Sequence, residues 1–321
     1  MKLGYSLTSE EHPPHELTAN AARAEAAGMS FAFISDHYHP WTDVQGHAPF
    51  VWSVIGAIAS GTSRLRLGTG VTCPLIRTHP AVIAQAAATS ACLMPGRFFL
   101  GVGTGENLNE HVTGSRWPAP DERLEMLEEA LEVLRLLWQG DVQSHEGKHY
   151  RVDHARIYDL PEQPLEVAVA AANPGAAALA ARLGDAMVST APDSVLVDAY
   201  GAAGGDGPVY GQLTVCWADS ESEARRTALR VWPNAGIPGR SGQELPLPED
   251  FQSLSQLVTE EQIAEQIVCG PDPDLWRSRI EEFTGAGFTH VYLHQVGRDQ
   301  EGFFRFFERE LRPRLRGSLA A

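Results

Sequence analysis

The segment Phe98-Phe99-Leu100-Gly101-Val102-Gly103-Thr104-Gly105-Glu106-Asn107-Leu108-Asn109-Glu110 decides how this chain is read. It opens as a short apolar strand and runs into a glycine-rich rim that ends in polar side chains. A strand followed by glycines is how a dinucleotide-binding turn begins, but the GxGxxG spacing is missing and no helix is expected directly after it. A better functional reading is a rim where missing Cβ atoms let the backbone approach a flat ring or a phosphate. The alternative is a tight turn with Glu106 as a solvated carboxylate.

Working outward, the same unit repeats. Apolar strands are expected over 3–7, 31–35, 65–71, 98–103, 166–171, 186–190, 209–216 and 289–294. Amphipathic helical patterns separate them. The clearest starts at Asp121, where Leu124, Leu127, Ala130, Leu131, Leu134 and Leu137 keep a 3.6-residue period behind Pro120. Eight near-equal βα units without a domain break favour one closed parallel (β/α)8 barrel, a TIM barrel over residues 1–321, rather than an open doubly wound sheet. Two stretches interrupt the rhythm. Residues 143–160 read as short extra strands at 149–152 and 156–158, and residues 235–260, rich in Gly, Pro and Ser, read as an excursion. Long βα insertions tend to cover the mouth of such a barrel.

Composition narrows the function classes. The 321 residues are 43% hydrophobic and 21% charged, an ordinary globular balance. The net charge of −16 disfavours nucleic acid or anionic lipid as partner. No apolar run is long enough to span a membrane, and the start of the chain carries no secretory pattern. Cys73, Cys92, Cys216 and Cys269 show no CxxC spacing, so a reducing cytoplasm is expected. Lys2 and Lys148 are the only lysines, which leaves Schiff-base or P-loop chemistry almost without candidates.

Barrel enzymes carry reactive groups where strands end. Strand two ends Ser35-Asp36-His37-Tyr38-His39-Pro40-Trp41, strand three Gly68-Thr69-Gly70-Val71-Thr72-Cys73-Pro74, and strand five Ala171-Ala172-Asn173-Pro174-Gly175. Asp36-His37 pairs a carboxylate with an imidazole, as proton transfer near neutral pH requires. A polar loop of satisfied histidines is the plain alternative. His37-x-His39 is also a metal-pair spacing, yet no histidine lies between His154 and His290 to complete such a site, and no metal is expected. Asn173 before Pro174 is either a simple helix cap or one edge of an anion site.

Taken together, residues 35–41, Gly46-His47-Ala48-Pro49-Phe50 and the segment 101–110 resemble the coenzyme F420-dependent branch of the luciferase-like superfamily, most of all its glucose-6-phosphate dehydrogenases. The similarity runs almost end to end and is weaker over 194–260. The resemblance implies a hydride-transferring oxidoreductase, with FMN-dependent monooxygenation and a non-catalytic cofactor-binding barrel as alternatives. It implies His37 beside the reacting carbon, Glu106 as partner acid/base and Trp41 as a wall. For the cofactor it implies Asp36, Gly70 and Val71 (a bulge with a non-prolyl cis bond), Cys73, Thr104, Gly105 and Asn109. Ala172, Asn173, Gly175 and Ala176 would hold its phosphate-bearing tail, and the family carries glycine at the first two. It also implies a small-molecule substrate and a homodimer. At the substrate end Thr190 matches, but Asp193 stands where the family has a phosphate-clamping lysine. Glucose 6-phosphate is therefore expected to be a poor substrate.

Overall fold

The computed structural model describes residues 1–315 and 317. In chain order the elements are β1 (Lys2–Leu7), α1 (Pro14–Ala26), β2 (Phe31–Ile34), α2 (Val51–Gly61), β3 (Arg66–Thr69), α3 (Pro80–Leu93), β4 (Phe98–Val102), α4 (Asn107–Glu110) and α5 (Pro120–Leu137). There follow β5 (Gln143–Glu146), β6 (Arg151–Ala155), β7 (Val167–Ala170), α6 (Pro174–Leu183), β8 (Ala186–Ser189), α7 (Ser194–Ala202), β9 (Val209–Cys216) and α8 (Glu221–Val231). The chain continues through α9 (Ser241–Glu244), α10 (Pro248–Ser255), α11 (Glu260–Gln266), β10 (Val268–Cys269), α12 (Pro273–Gly285), β11 (His290–Gln295), α13 (Gln300–Phe306) and α14 (Arg312–Leu315).

Strands β1, β2, β3, β4, β7, β8, β9 and β11 pair in parallel and close on themselves through β9, giving the expected TIM barrel. Its interior is an aromatic layer of Phe31, Phe33, Phe99, Tyr210 and Tyr292, filled out by Ala168, Ala186 and Val188. Large rings fit because neighbouring strands leave room. A Cβ on Gly68 would sit 2.1 Å from the Phe99 ring, and one on Gly4 2.5 Å from Phe31. The larger apolar core lies outside the strands, against the helices. In α5 the periodic face is buried from Leu127 to Leu137 as its sequence requires, with Leu124 only partly covered.

Two local expectations need correction, and the excursion takes a definite form. A helix does follow the glycine rim at once, since α4 starts right after Glu106. The 143–160 insertion is an antiparallel hairpin of β5 and β6, so its first strand lies earlier than expected and 156–158 forms none. The excursion is a chain of short helices. Pro248 starts α10, and Thr259 caps α11 in a capping box with Gln262.

A ninth parallel strand went unforeseen. Strand β8 leaves β9 at Ser189↔Gly211, and β10 joins the same edge only at Val268↔Val215. Between them Gln212, Leu213 and Thr214 have no strand on that side, which opens a seam in the barrel wall. Among the described residues, no helix is long and apolar enough to cross a membrane.

Candidate functional site

The C-terminal mouth of the barrel holds a cleft of about 510 Å³. His37, Gly70, Val71, Thr104, Gly105 and Glu106 line one side, and Ala172, Asn173, Ala176 and Thr190 the other. Expected residues from five separate strand ends thus meet in one cavity, whereas Asp36, Trp41, Cys73, Asn109, Gly175 and Asp193 do not line it.

The loop after β2 is fixed from below by a buried charge network. Asp36 Oδ2 accepts from the Thr72 hydroxyl at 2.8 Å, and Oδ1 pairs with the Arg77 guanidinium at 2.8 Å. The Arg77 backbone N–H donates to Glu110 at 2.8 Å. Burial pushes the Glu110 carboxyl up to about 7, against the pull of Arg77. The Asp36 carboxylate is therefore occupied within the protein and does not line the cleft. It positions the neighbouring His37.

The His37 ring is the centre of a second network. Nε2 lies 3.3 Å from Oε1 of Glu10, and both side chains are largely buried. Burial alone would raise the Glu10 carboxyl. The facing imidazole and the Ser35 hydroxyl, which donates to Oε2, outweigh it and hold the group below the ordinary carboxylate range. A carboxylate at Glu10 accepts only, so Nε2 carries hydrogen. On the other edge, Nδ1 is 3.1 Å from the His39 carbonyl and 3.2 Å from Asn109 Nδ2. The Asn109 amide is oriented by Oδ1 accepting from the backbone N–H groups of Tyr38 and His39, at 2.9 and 3.3 Å. Its Nδ2 therefore donates, to His37 Nδ1 and to Glu106 Oε2 at 3.2 Å. Neutral His37 takes a hydrogen bond from Asn109, and protonated His37 gives one to the His39 carbonyl. Both edges of the ring therefore have partners inside the protein.

The cleft floor contains the non-prolyl cis peptide between Gly70 and Val71. Gly105 sits at φ +72°, and a Cβ there would lie 2.5 Å from Cys73 Sγ. Cys73 is thus a packing support behind the rim, outside the cleft, with its thiol pushed well up by burial. At the far end Asn173 caps α6 by accepting from the Ala176 N–H at 3.0 Å, so a helix N-terminus borders the cleft. Gly175 lies in its first turn. Trp41 stands beside the cleft, its ring 5.2 Å from His37 and edge-on to Phe251 of α10 at 5.1 Å. The helical excursion backs this wall.

Two site residues escaped the sequence reading. Glu10 follows β1, and reading the end of strand one as the others were read would have exposed it. Arg123 is buried in the cleft wall with its guanidinium 4.3 Å from the Trp117 ring, and nothing in its helical pattern marks it. Asp193 must be corrected. It is exposed and caps α7 by accepting from the Val195 N–H at 2.8 Å, outside the cleft. Thr190 and Gln212 instead lie between the cleft and a second cavity of about 290 Å³ at the barrel seam.

The residues present fit a flat, anionic cofactor. The glycine rim and the half-buried Gly70-Val71 peptide leave space for a ring, and the α6 N-terminus offers a positive end for a phosphate tail, while the Arg123 guanidinium is already paired with Glu244 at 3.2 Å.

Comparison with known proteins agrees with this architecture. The luciferase-like monooxygenase family profile matches residues 1–290, and the chain belongs to that family. Within it, the sequence stands with proteins named F420-dependent glucose-6-phosphate dehydrogenase. The relative from Mycobacterium avium (strain 104) is 37% identical over 331 residues, covering 98% of each chain. That from Rhodococcus jostii (strain RHA1) is 37% identical over 332 residues, covering 99% of each. Among solved structures, an F420-dependent secondary alcohol dehydrogenase in complex with an F420-acetone adduct superimposes with TM-score 0.89 at 26% identity, covering 96% of this chain and 97% of that one.

Proposed function

We propose that this protein is a coenzyme F420-dependent oxidoreductase that moves a hydride between the deazaflavin and a small alcohol, carbonyl compound or activated double bond. The observation that carries the reading is the His37 imidazole, tied to Glu10 on one edge and through Asn109 to Glu106 on the other, at a cleft with a glycine rim. Family membership and the F420-dependent relatives support the cofactor.

Thr104, Gly105 and the Gly70-Val71 peptide would face the ring system, and Ala172, Asn173, Gly175 and Ala176 its tail. When bound, the deazaflavin would supply the carbon that accepts or donates hydride. The chain's own work is positioning and proton transfer. The substrate oxygen is proposed to meet His37 Nε2 and Glu10. The Nε2–H, shared with Glu10, donates to the charge that develops on that oxygen, Asn109 keeps Nδ1 as the hydrogen-free edge of the ring, and the oxygen's proton passes to or from Glu106. Glu106 is the acid/base at the opposite end of the Asn109 link, and Trp41 keeps water off the reacting face. A homodimer in the cytoplasm belongs to the same proposal.

Glucose 6-phosphate is proposed to be a poor substrate, although the relatives carry its name. The reason moves from Asp193 to the seam cavity. Its two arginines already have carboxylate partners, Arg225 with Glu221 at 2.5 Å and Arg279 with Glu282 at 3.1 Å. Glu265 adds a further negative charge, and no lysine follows Lys148. A phosphate there would have to compete for both guanidinium groups.

The test is a titration with F420 and, in parallel, FMN, followed by turnover of secondary alcohols and of glucose 6-phosphate. Binding and reduction of F420 with an alcohol are expected. Binding of FMN alone would sink the cofactor assignment, and efficient glucose 6-phosphate oxidation would sink the substrate argument.

A further inference from the structure

Beside the cleft, β10 brings together two thiols that the proposed reaction does not use. Cys269 of β10 is the direct register partner of Cys216 of β9, and the Gly270 N–H closes the ladder on the Cys216 carbonyl at 2.9 Å. Adjacent strands run about 4.8 Å apart, within the roughly 4.4–6.8 Å Cα separation that a disulfide accepts. Directly opposed residues also share a face of the sheet. Both side chains pack in one cluster with Ala224, Ala228, Ile263 and Ile267. Neither is bonded to another cysteine. Access is one-sided, since Cys269 lines the seam cavity while Cys216 is fully buried behind it.

We propose that Cys216 and Cys269 are a redox-sensitive dithiol that closes to a disulfide and pins the helical excursion to the barrel. The chain between them carries α8 to α11, including Phe251, which backs Trp41. The oxidant is a small disulfide, RSSR, entering through the seam. The Cys269 thiolate attacks one of its sulfurs and releases RS⁻. Cys216 then attacks Cys269 Sγ and releases the second RS⁻. Two thiols lose two electrons and two protons, and RSSR becomes two RSH. Burial raises both thiols, Cys269 to about 11 and Cys216 further still, so exchange is slow at neutral pH and quickens in alkali.

The full chain is incubated with glutathione disulfide from pH 7 to 9 and mapped as non-reduced peptides. A 216–269 cross-link should appear, its rate rising about tenfold per pH unit with the thiolate fraction. Amide hydrogen exchange over 233–266 should slow in the linked protein. Cys216→Ala should trap glutathione on Cys269. The proposal is overturned if exposed Cys92 is fully modified at pH 9 while Cys216 and Cys269 stay free. It is equally overturned if the wild type holds glutathione on Cys269 without passing it on, or if the linked protein exchanges over 233–266 as fast as the reduced one.

Discussion

The two halves of the barrel mouth are built on different principles. From β1 to α4, Glu10 and Asn109 bond the His37 ring, and Ser35, Asp36, Thr72, Arg77 and Glu110 tie down the segments around it. From β8 to α12, the wall is open at the seam, and its charges sit in exposed arginine–carboxylate pairs such as Arg225–Glu221 and Arg279–Glu282. Buried pairs are costly to break, while exposed ones contribute about 0–1 kcal/mol. His37 and Glu10 are therefore held among buried groups on one side, while the exposed pairs on the other can be changed at little cost to the fold.

The severest break of this contrast is His37→Ala. Turnover with F420 should fall about 10²–10⁴-fold while cofactor affinity, read by fluorescence titration, stays near wild type. Unchanged turnover would remove His37 from the reaction. Next, Asp36→Ala leaves the buried Arg77 guanidinium short of a partner. Its cost should be roughly 3–5 kcal/mol in denaturant unfolding, against under about 1 kcal/mol for Glu282→Gln on the other half.

A pH series sharpens the same point. Burial pushes the Glu11 carboxyl up to about 8 in the folded protein. The folded state then binds more protons than the unfolded state between about pH 4.5 and 8, so stability falls across that window as pH rises. Glu11→Gln should flatten the slope, stabilising the protein by roughly 4 kcal/mol at pH 8 and by nothing below pH 4. The smallest expected effect is on the open side. Glu282→Gln frees Arg279, and kcat/KM for glucose 6-phosphate should rise by about tenfold or less, with secondary alcohols unaffected. A loss instead would show that Glu282 helps the phosphate.

The closed half was also the more legible in the sequence. His37 and Glu106 stand at strand ends and line the cleft, because the polypeptide that leaves a barrel strand has few directions to take, whereas Asn109, expected through the resemblance to hold the cofactor, is buried and bonds instead to the β2 loop, His37 and Glu106. Glu10 obeys the same rule at the end of β1. The seam was opaque for a physical reason. Val268 and Cys269 form a strand too short for any periodicity, and the place where β8 parts from β9 is set by pairing across distant segments. Asp193 was misplaced because alignment gives a position and not a direction, and a helix cap turned the side chain away. In the excursion, glycine and proline frequency marks only a break in the barrel rhythm, while the capping pattern at Thr259 and Gln262 is the local signal of a helix start.

Asn109 ties the site together in a way that limits how it can open. One amide group faces the imidazole, the Glu106 carboxylate and the backbone of the β2 loop at once. Lifting the single turn that carries it would take a partner from His37, from Glu106 and from two backbone N–H groups in one motion.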